Sequence, residues 1–411
     1  MTVAPAVPAG FDPTDPGLNQ ERIPLAEFME LRKTAPVFWV EQGPEACAGF
    51  NDGGFWAISK HADIAAVSKD SKNFSTAENG AIIRFAPTMQ REDVEMQGVM
   101  LINKDAPDHT KMRQIISRGF TPRAINALHD ILQERADKIV EDALAKGTGD
   151  FVEDVAAELP LQAIADLMGV PQEDRAKLFD WSNQMLSYDD PDVEGDETVA
   201  AAEILGYAMM LADQRRNDPK DDIITKLISP HDDGYGTLTD DEFGFFVILL
   251  AVAGNETTRN AITHGMMAFF DNPEQWELWK NKRPSTMVDE VIRWATPVTS
   301  FQRTALADVT IGGQEIKKGQ RVGIFYASGN HDEDVFENSL TFDIARQHNP
   351  HLAFGGHGAH YCIGANLARL EVEIMFNTIA DKMPDLQPNG EATRLRSAWI
   401  NGIKTLPVKY A

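Results

Sequence analysis

Cys362 lies in the stretch Phe354-Gly-Gly-His-Gly-Ala-His-Tyr-Cys-Ile-Gly364, where four glycines and two histidines surround one thiol. A thiolate that ligates a metal needs a rigid loop to present its sulfur, and glycines let backbone run close to a flat cofactor. Backbone N–H groups near the sulfur would tune its electron donation. A helix opening near Ala365 would turn its positive end toward the sulfur and favour the ionised form. Three other readings compete. A lone cysteine is most often buried and inert, but the density of glycine and histidine speaks against that here. His357-x-x-His360-x-Cys362 could hold zinc, yet a structural zinc site uses four ligands, and the second cysteine, Cys47, is remote. A dinucleotide loop would need glycine where Tyr361 stands, and no βαβ unit accompanies it.

A second group is Ala253-Gly-Asn-Glu-Thr-Thr258. Gly254 and paired threonines are poor helix formers, and an acid beside a hydroxyl is costly in mid-helix if buried without partners. Either the stretch is a polar turn at a crevice, or the helix opens locally into a groove through hydroxyl back-bonding near a glycine. Glu290 and Arg293, at i and i+3, share a helix face; as a surface pair they would be worth little. His109 and Arg113, at i and i+4, point one way from a helix that starts at Pro107.

The elements that carry these groups are mainly helical. A loose arm over residues 1–20 precedes a helix at 25–33, strands at 37–40 and 55–58, and a helix after His61. Residues 75–104 show no clean period, and long loops of that kind are often functional. Helical pattern dominates from Pro107 to about Asp271, with Pro107, Pro122 and Pro171 suited to first turns, an acidic loop at 189–197 and a turn at 231–238. Thr239-Asp-Asp-Glu242 reads as a capping box opening a helix that runs to Asn272-Pro273. That helix is apolar on most faces in its first half and should cross the protein centre. A helix at 285–295, small antiparallel strands within 301–325 and a helix at 365–383 complete a mainly α fold with small β-sheets.

The whole-chain balance narrows the function. The chain has 411 residues and a net charge of −25 from 38 basic and 63 acidic side chains, which argues against nucleic acid, whose phosphates need a basic face. The longest apolar run, 245–253, is about half a bilayer crossing. Two cysteines do not make a disulfide scaffold. We expect a cytoplasmic monomer without a membrane anchor.

The cysteine stretch resembles the haem-binding signature of the cytochromes P-450, Phe-Gly-x-Gly-x-His-x-Cys-x-Gly. The match is complete from Gly356 to Gly364; Gly355 takes the signature's first position and the aromatic comes one residue earlier, at Phe354. The resemblance implies haem b between a long distal helix and the cysteine loop, with Cys362 as the iron's axial ligand. It implies haem contacts from Phe354, Gly356 and Gly364, and from Ala253 and Gly254 in the distal helix. It gives Thr257 a hydrogen bond to bound O2 and Glu256 a proton relay through water. O–O cleavage needs electron push from a thiolate and protons from the other side. His109, Arg113, Arg303 and His360 match propionate contacts, and Glu290, Arg293 and Arg346 match a structural triad. The order of these motifs fits the family over about residues 20–411, so that 21–411 reads as a single catalytic domain.

Longer runs, among them Ile116-Ser-Arg-Gly-Phe-Thr-Pro-Arg123 and Ala251-Val-Ala-Gly-Asn-Glu-Thr-Thr-Arg-Asn260, resemble the actinobacterial steroid C26-monooxygenases. That similarity implies oxidation of the side-chain terminus of cholesterol or cholest-4-en-3-one to the alcohol, and onward to aldehyde and acid. His357 stands where a small polar residue is expected. A sterol needs a long apolar funnel, for which Phe85, Met100, Leu101, Val252 and Val298 are candidate walls. The terminal methyl has a stronger C–H bond than the branch point, so the funnel must enforce the choice by positioning. The chain has no flavin or nicotinamide domain of its own. Electrons from NAD(P)H would come through a ferredoxin reductase and a ferredoxin, docking at Lys104, Lys111, Arg118 and Arg369. The alternatives are an ω-hydroxylase of methyl-branched fatty acids or terpenoids, a peroxide-driven enzyme, and a haem or sterol carrier without turnover. The Glu256-Thr257 pair argues against the last two.

Overall fold

The structure is a computed structural model and describes residues 7–50, 52–186, 188–192, 195–220, 222–230 and 234–411. Parts of the expected arm at 1–20, of the loop at 189–197 and of the turn at 231–238 therefore lie outside the described residues.

The axis of the fold is the helix Asp240–Asp271, 32 residues long and so about 48 Å at ~1.5 Å per residue. Its start is fixed as the sequence predicts. The Thr239 side chain accepts from the Glu242 N–H, and the Glu242 carboxylate accepts from the Thr239 N–H. It stops where Pro273 opens the next helix, Pro273–Lys282, because proline cannot continue the ladder. Phe243, Phe246 and Val247 near one end and Ile262, Met266 and Phe269 near the other are all buried. Around this axis pack the helices Glu158–Met168, Arg175–Leu186, Glu197–Asn217, Met287–Ala295 and Ala365–Lys382. One hydrophobic cluster runs through all of them. Gly254 lets the axis lie against Ile164 of Glu158–Met168, since a Cβ there would collide with that side chain.

Beside this helical body lies a sheet of five strands in the order Val37–Glu41, Gly54–Ile58, Arg321–Phe325, Ser300–Ala305, Phe74–Ser75. All neighbours are antiparallel except Gly54–Ile58 with Arg321–Phe325. That single parallel pairing joins strands more than 260 residues apart, a partnership that local pattern does not encode. Two regions differ from the sequence reading. The aperiodic stretch 75–104 contains a helix, Arg91–Met96, and 3-10 turns at Gln97–Val99 and Leu101–Asn103. Elements this short end before a period can register. In the expected loose arm, Pro16–Glu21 is helical, Phe11 packs on Phe28 and Phe38, and the Asn19 carbonyl accepts from Arg394. Its turn-rich composition hid these anchors. Among the described residues, no helix is long and apolar enough to cross a membrane.

Candidate active site

A cavity separates the middle of the long helix from the cysteine loop. The helix contributes Phe246, Leu249, Leu250, Ala253, Gly254 and Thr257 to its wall, and the loop contributes Phe354, Gly356, Cys362 and Gly364. Cys362 is deep in the protein, yet its sulfur is accessible because it faces this cavity. The loop holds itself by backbone bonds: Cys362 N–H donates to the Phe354 carbonyl at 2.9 Å and Tyr361 N–H to the Gly358 carbonyl at 3.0 Å. Gly356 and Gly358 are needed for a reason the sequence did not show. A Cβ on either would run into Ser68, on the helix His61–Lys69, so these glycines serve loop-to-helix packing as well as any approach to a ligand. His357 holds φ +61°, a left-handed conformation that suits glycine better.

Phe354, although shifted by one position, reaches the cavity wall. The Arg369 guanidinium lies over its ring at 4.6 Å. Arg369 also donates to Asp289 at 2.8 Å, and His351 lies 3.2 Å from the same carboxylate. Burial pushes the Asp289 carboxyl up, but His351 and Arg369 outweigh it and hold it at about 2. The expected ease of ionising Cys362 is not borne out in the protein alone. Burial raises the thiol, and the Gly364 N–H, Arg113 and Arg369 oppose it only in part. A thiol so placed is held as thiolate by a coordinating cation.

His109, Arg113, Arg303 and His360 all line one part of the cavity, although they come from three separate chain segments. The His109 and His360 rings are 4.2 Å apart. Burial first, then the neighbouring arginines, lower these imidazoles to about 4 and about 2, so both are neutral at pH 7. Arg113 donates to the Tyr361 carbonyl at 2.6 Å and Arg303 to the Gln302 carbonyl at 2.6 Å. His109 Nε2 is buried without a partner, a cost that a native site carries for a ligand. Donors and cations on one side, a thiol facing the space and apolar side chains elsewhere fit a flat apolar ring with acidic tails and a central metal.

Three expectations change. The long helix is unbroken through 253–258: Thr257 back-bonds to the Ala253 carbonyl at 2.7 Å without opening a groove. Glu256 is buried and does not line the cavity. It is ion-paired with Arg259 one turn on and accepts from Asn260 Nδ2 at 2.8 Å. Of the five candidate walls, Leu101 and Val298 line the cavity. Phe85 packs instead with Ala48 and Val94, Met100 backs the main cluster, and Val252 sits with Leu186, Leu395 and Ile400. Phe85 and Met100 lie outside the helices, where the path of the chain decides which way they point, and Val252 sits on another face of the long helix. The sequence reading missed Ile164, Phe246, Leu250, Phe301 and Tyr326 as lining, and also Thr258 and Glu371. Glu371 left a signal: an acid among the buried positions Leu367, Val372, Ile374 and Met375 of its helix.

Away from the cavity, Glu290 and Arg293 are both 0% exposed. Arg293 donates to both carboxylate oxygens of Glu290, at 2.8 and 2.7 Å, and Arg346 donates at 3.1 Å. Arg293 also bonds the Asn330 and Ser339 carbonyls, and Arg346 bonds that of Glu337. The triad ties Met287–Ala295 to the segment before the cysteine loop.

The cytochrome P450 family model matches residues 285–382. A Rhodococcus jostii protein named steroid C26-monooxygenase is 62% identical over 406 residues, covering 99% of this chain and 86% of that protein. A Mycobacterium tuberculosis protein of the same name is 58% identical over 408 residues, with 99% and 94% covered. A methyl-branched lipid omega-hydroxylase of M. tuberculosis is 40% identical over 395 residues, with 93% and 90% covered. Among solved structures, a Mycobacterium marinum cytochrome P450 in complex with pseudoionone superposes with a TM-score of 0.90 at 34% identity, over the full length of both chains.

Proposed function

Because this chain belongs to the cytochrome P450 family and is a haem monooxygenase, we propose that it hydroxylates the terminal methyl of the side chain of cholesterol or cholest-4-en-3-one. The observation that carries the substrate is the 62% identity, along 99% of the chain, to a protein named steroid C26-monooxygenase. The apolar wall of Leu101, Ile164, Phe246, Leu250, Val298 and Phe301 supports it. We read residues 21–411 as one catalytic domain, working in the cytoplasm as a monomer.

In this reading Cys362 supplies the axial sulfur, and His109, Arg113, Arg303 and His360 hold the acidic edge of the haem, with His109 Nε2 gaining the partner it lacks. When bound, haem supplies O2 activation in one-electron steps. The chain's own work is positioning, exclusion of water and proton handling. The apolar wall orients the side-chain terminus and dries the space around it. Thr257 Oγ1 donates to the Ala253 carbonyl at 2.7 Å, so from that anchor it accepts on the cavity side, and it can donate into the cavity only by leaving that carbonyl. Glu256 is buried off the cavity wall in an ion pair with Arg259, so its relay role requires that side chain to turn toward the cavity. For electron delivery through a ferredoxin and its reductase, the proposed docking set shrinks to Lys104 and Lys111. Arg369 is committed to Asp289 and Phe354, and Arg118 to the Gly236 carbonyl.

Absorbance titration of the ferric protein with cholest-4-en-3-one tests the substrate. A saturable low-spin to high-spin shift at micromolar sterol is expected. A haem spectrum that responds to methyl-branched fatty acids but not to sterol would move the assignment to the second reading, which the 40% identical omega-hydroxylase favours. Thr257→Ala should keep the sterol shift but lower product formed per O2 consumed by about tenfold or more, within the range for loss of a proton-handling group. Unchanged coupling would remove Thr257 from the proton path.

A further inference from the structure

Arg369 and Asp289 form an ion pair that the mechanism above leaves without a role. Arg369 stands in the second turn of the helix Ala365–Lys382, which follows the cysteine loop. Its guanidinium lies over the Phe354 ring at 4.6 Å, meets the Tyr361 hydroxyl and donates from Nε to Asp289 Oδ1 at 2.8 Å. The same carboxylate oxygen holds His351. The His351 Nδ1 accepts from the Ala353 N–H at 3.3 Å, which leaves Nε2–H to donate to Asp289 at 3.2 Å. One carboxylate on the helix Met287–Ala295 thus ties together the two flanks of the cysteine loop. As a stabilising contact, a pair 33% and 41% exposed is worth little. Its position gives it another use. Burial raises the Cys362 thiol, and the Gly364 N–H, Arg113 and Arg369 oppose that, so the Arg369 charge is felt at the sulfur. Arg113 lines the cavity, where an acidic haem edge would balance it. Arg369 is off the cavity wall, and its counter-charge is the protein's own Asp289, which stays ionised at pH 7.

We propose that this pair sets the reduction potential of the iron bound by Cys362. Arg369 is the acting charge, and Asp289 is the positioning residue that holds it over Phe354 and offsets its field. The proposal rests on Cys362 as the iron's ligand and is independent of the sterol. In the reduction step the carrier loses one electron to the iron centre, and no bond forms or breaks in the pair. The added negative charge is favoured by a fixed cation nearby and opposed by a fixed anion. Charges and hydrogen bonds just outside the ligand are levers of this kind at metal centres. With Asp289 in place the two charges largely cancel; without it the full Arg369 charge acts on the sulfur. The pair therefore balances ease of reduction, which a cation aids, against electron push from the sulfur, which a cation weakens.

Spectroelectrochemical titration of the haem-loaded protein at low salt, without sterol, reads the effect directly. Asp289→Asn should favour the reduced form by about threefold to tenfold, which is about 30 to 60 mV upward for one electron. Arg369→Gln should move the potential down by a similar amount, because Asp289 is then left without its cation. The double variant should fall between the two. Arg369→Lys, which keeps the charge but not the flat contact with Phe354, should stay nearer to wild type than Arg369→Gln. Both side chains are partly exposed, so the single variants should fold, and their shifts should shrink at high salt. The opposite signs separate charge from architecture, since a merely loosened loop would move both single variants the same way. Potentials that do not move, or that move together, with the thiolate band of the ferrous carbonyl form intact, would overturn the proposal. A wild-type carbonyl spectrum without that band would remove Cys362 as the ligand, and the proposal with it.

Discussion

Replacing Cys362 with serine should abolish hydroxylation, by about 10³-fold or more, as expected when a group at the centre of the chemistry is removed. It should also remove the red-shifted Soret band of the ferrous carbonyl form, which reports a thiolate ligand. In the proposed reading the sulfur is the one group in the loop that would supply electron push to a metal, and a hydroxyl is too poor a donor to replace it. The fold should survive. The loop is held by the Cys362 N–H to Phe354 bond and by the packing of Gly356 and Gly358 on Ser68, none of which uses the sulfur. Metal-free Cys362→Ser should thus melt near wild type. Circular dichroism and carbonyl spectra on one preparation separate the two effects. A serine variant that kept the thiolate spectrum would require another sulfur. The remaining cysteine, Cys47, donates to the Phe50 carbonyl and does not line the cavity.

The second large effect is on stability. Glu290→Gln should cost about 3–5 kcal/mol, the penalty for removing one charge from a buried ion pair. Glu290 accepts from Arg293, Arg346, Asn349 and the Asp343 N–H. Glutamine keeps the size but leaves two arginines, 0% and 8% exposed, without a counter-charge. Because the triad is outside the cavity, whatever fraction of the variant is folded should show the wild-type carbonyl spectrum. Urea titration measures the loss. A cost below about 1 kcal/mol would mean that the pair behaves like an exposed one and that other contacts hold the segment before the cysteine loop.

The sequence by itself marked the cysteine loop, the long helix and the side chains of His109, Arg113, Arg303 and His360, which the structure brings to one cavity. The cysteine loop was legible because a ligand loop concentrates glycine, histidine and thiol within a few residues, a pattern that ordinary core does not produce. The ends of the long helix were legible because Thr239 with Glu242 and Asn272 with Pro273 act through bonds that are local in the chain. The pairing of Glu290 with Arg293 was legible from the helical period; its complete burial was not. What only the tertiary structure decided is everything that depends on which face of a helix meets which neighbour. Leu101 turns into the cavity and Met100 away from it. Glu256 turns to Arg259, and its neighbour Thr257 to the cavity. Gly358 is fixed by Ser68, 290 residues earlier. Glu371 becomes an acid of the cavity because the helix after the cysteine loop packs against the long helix beside Thr258. A rotation of about 100° separates consecutive residues on a helix, so the step from the list of elements to the list of lining residues is made by packing, which no local pattern contains.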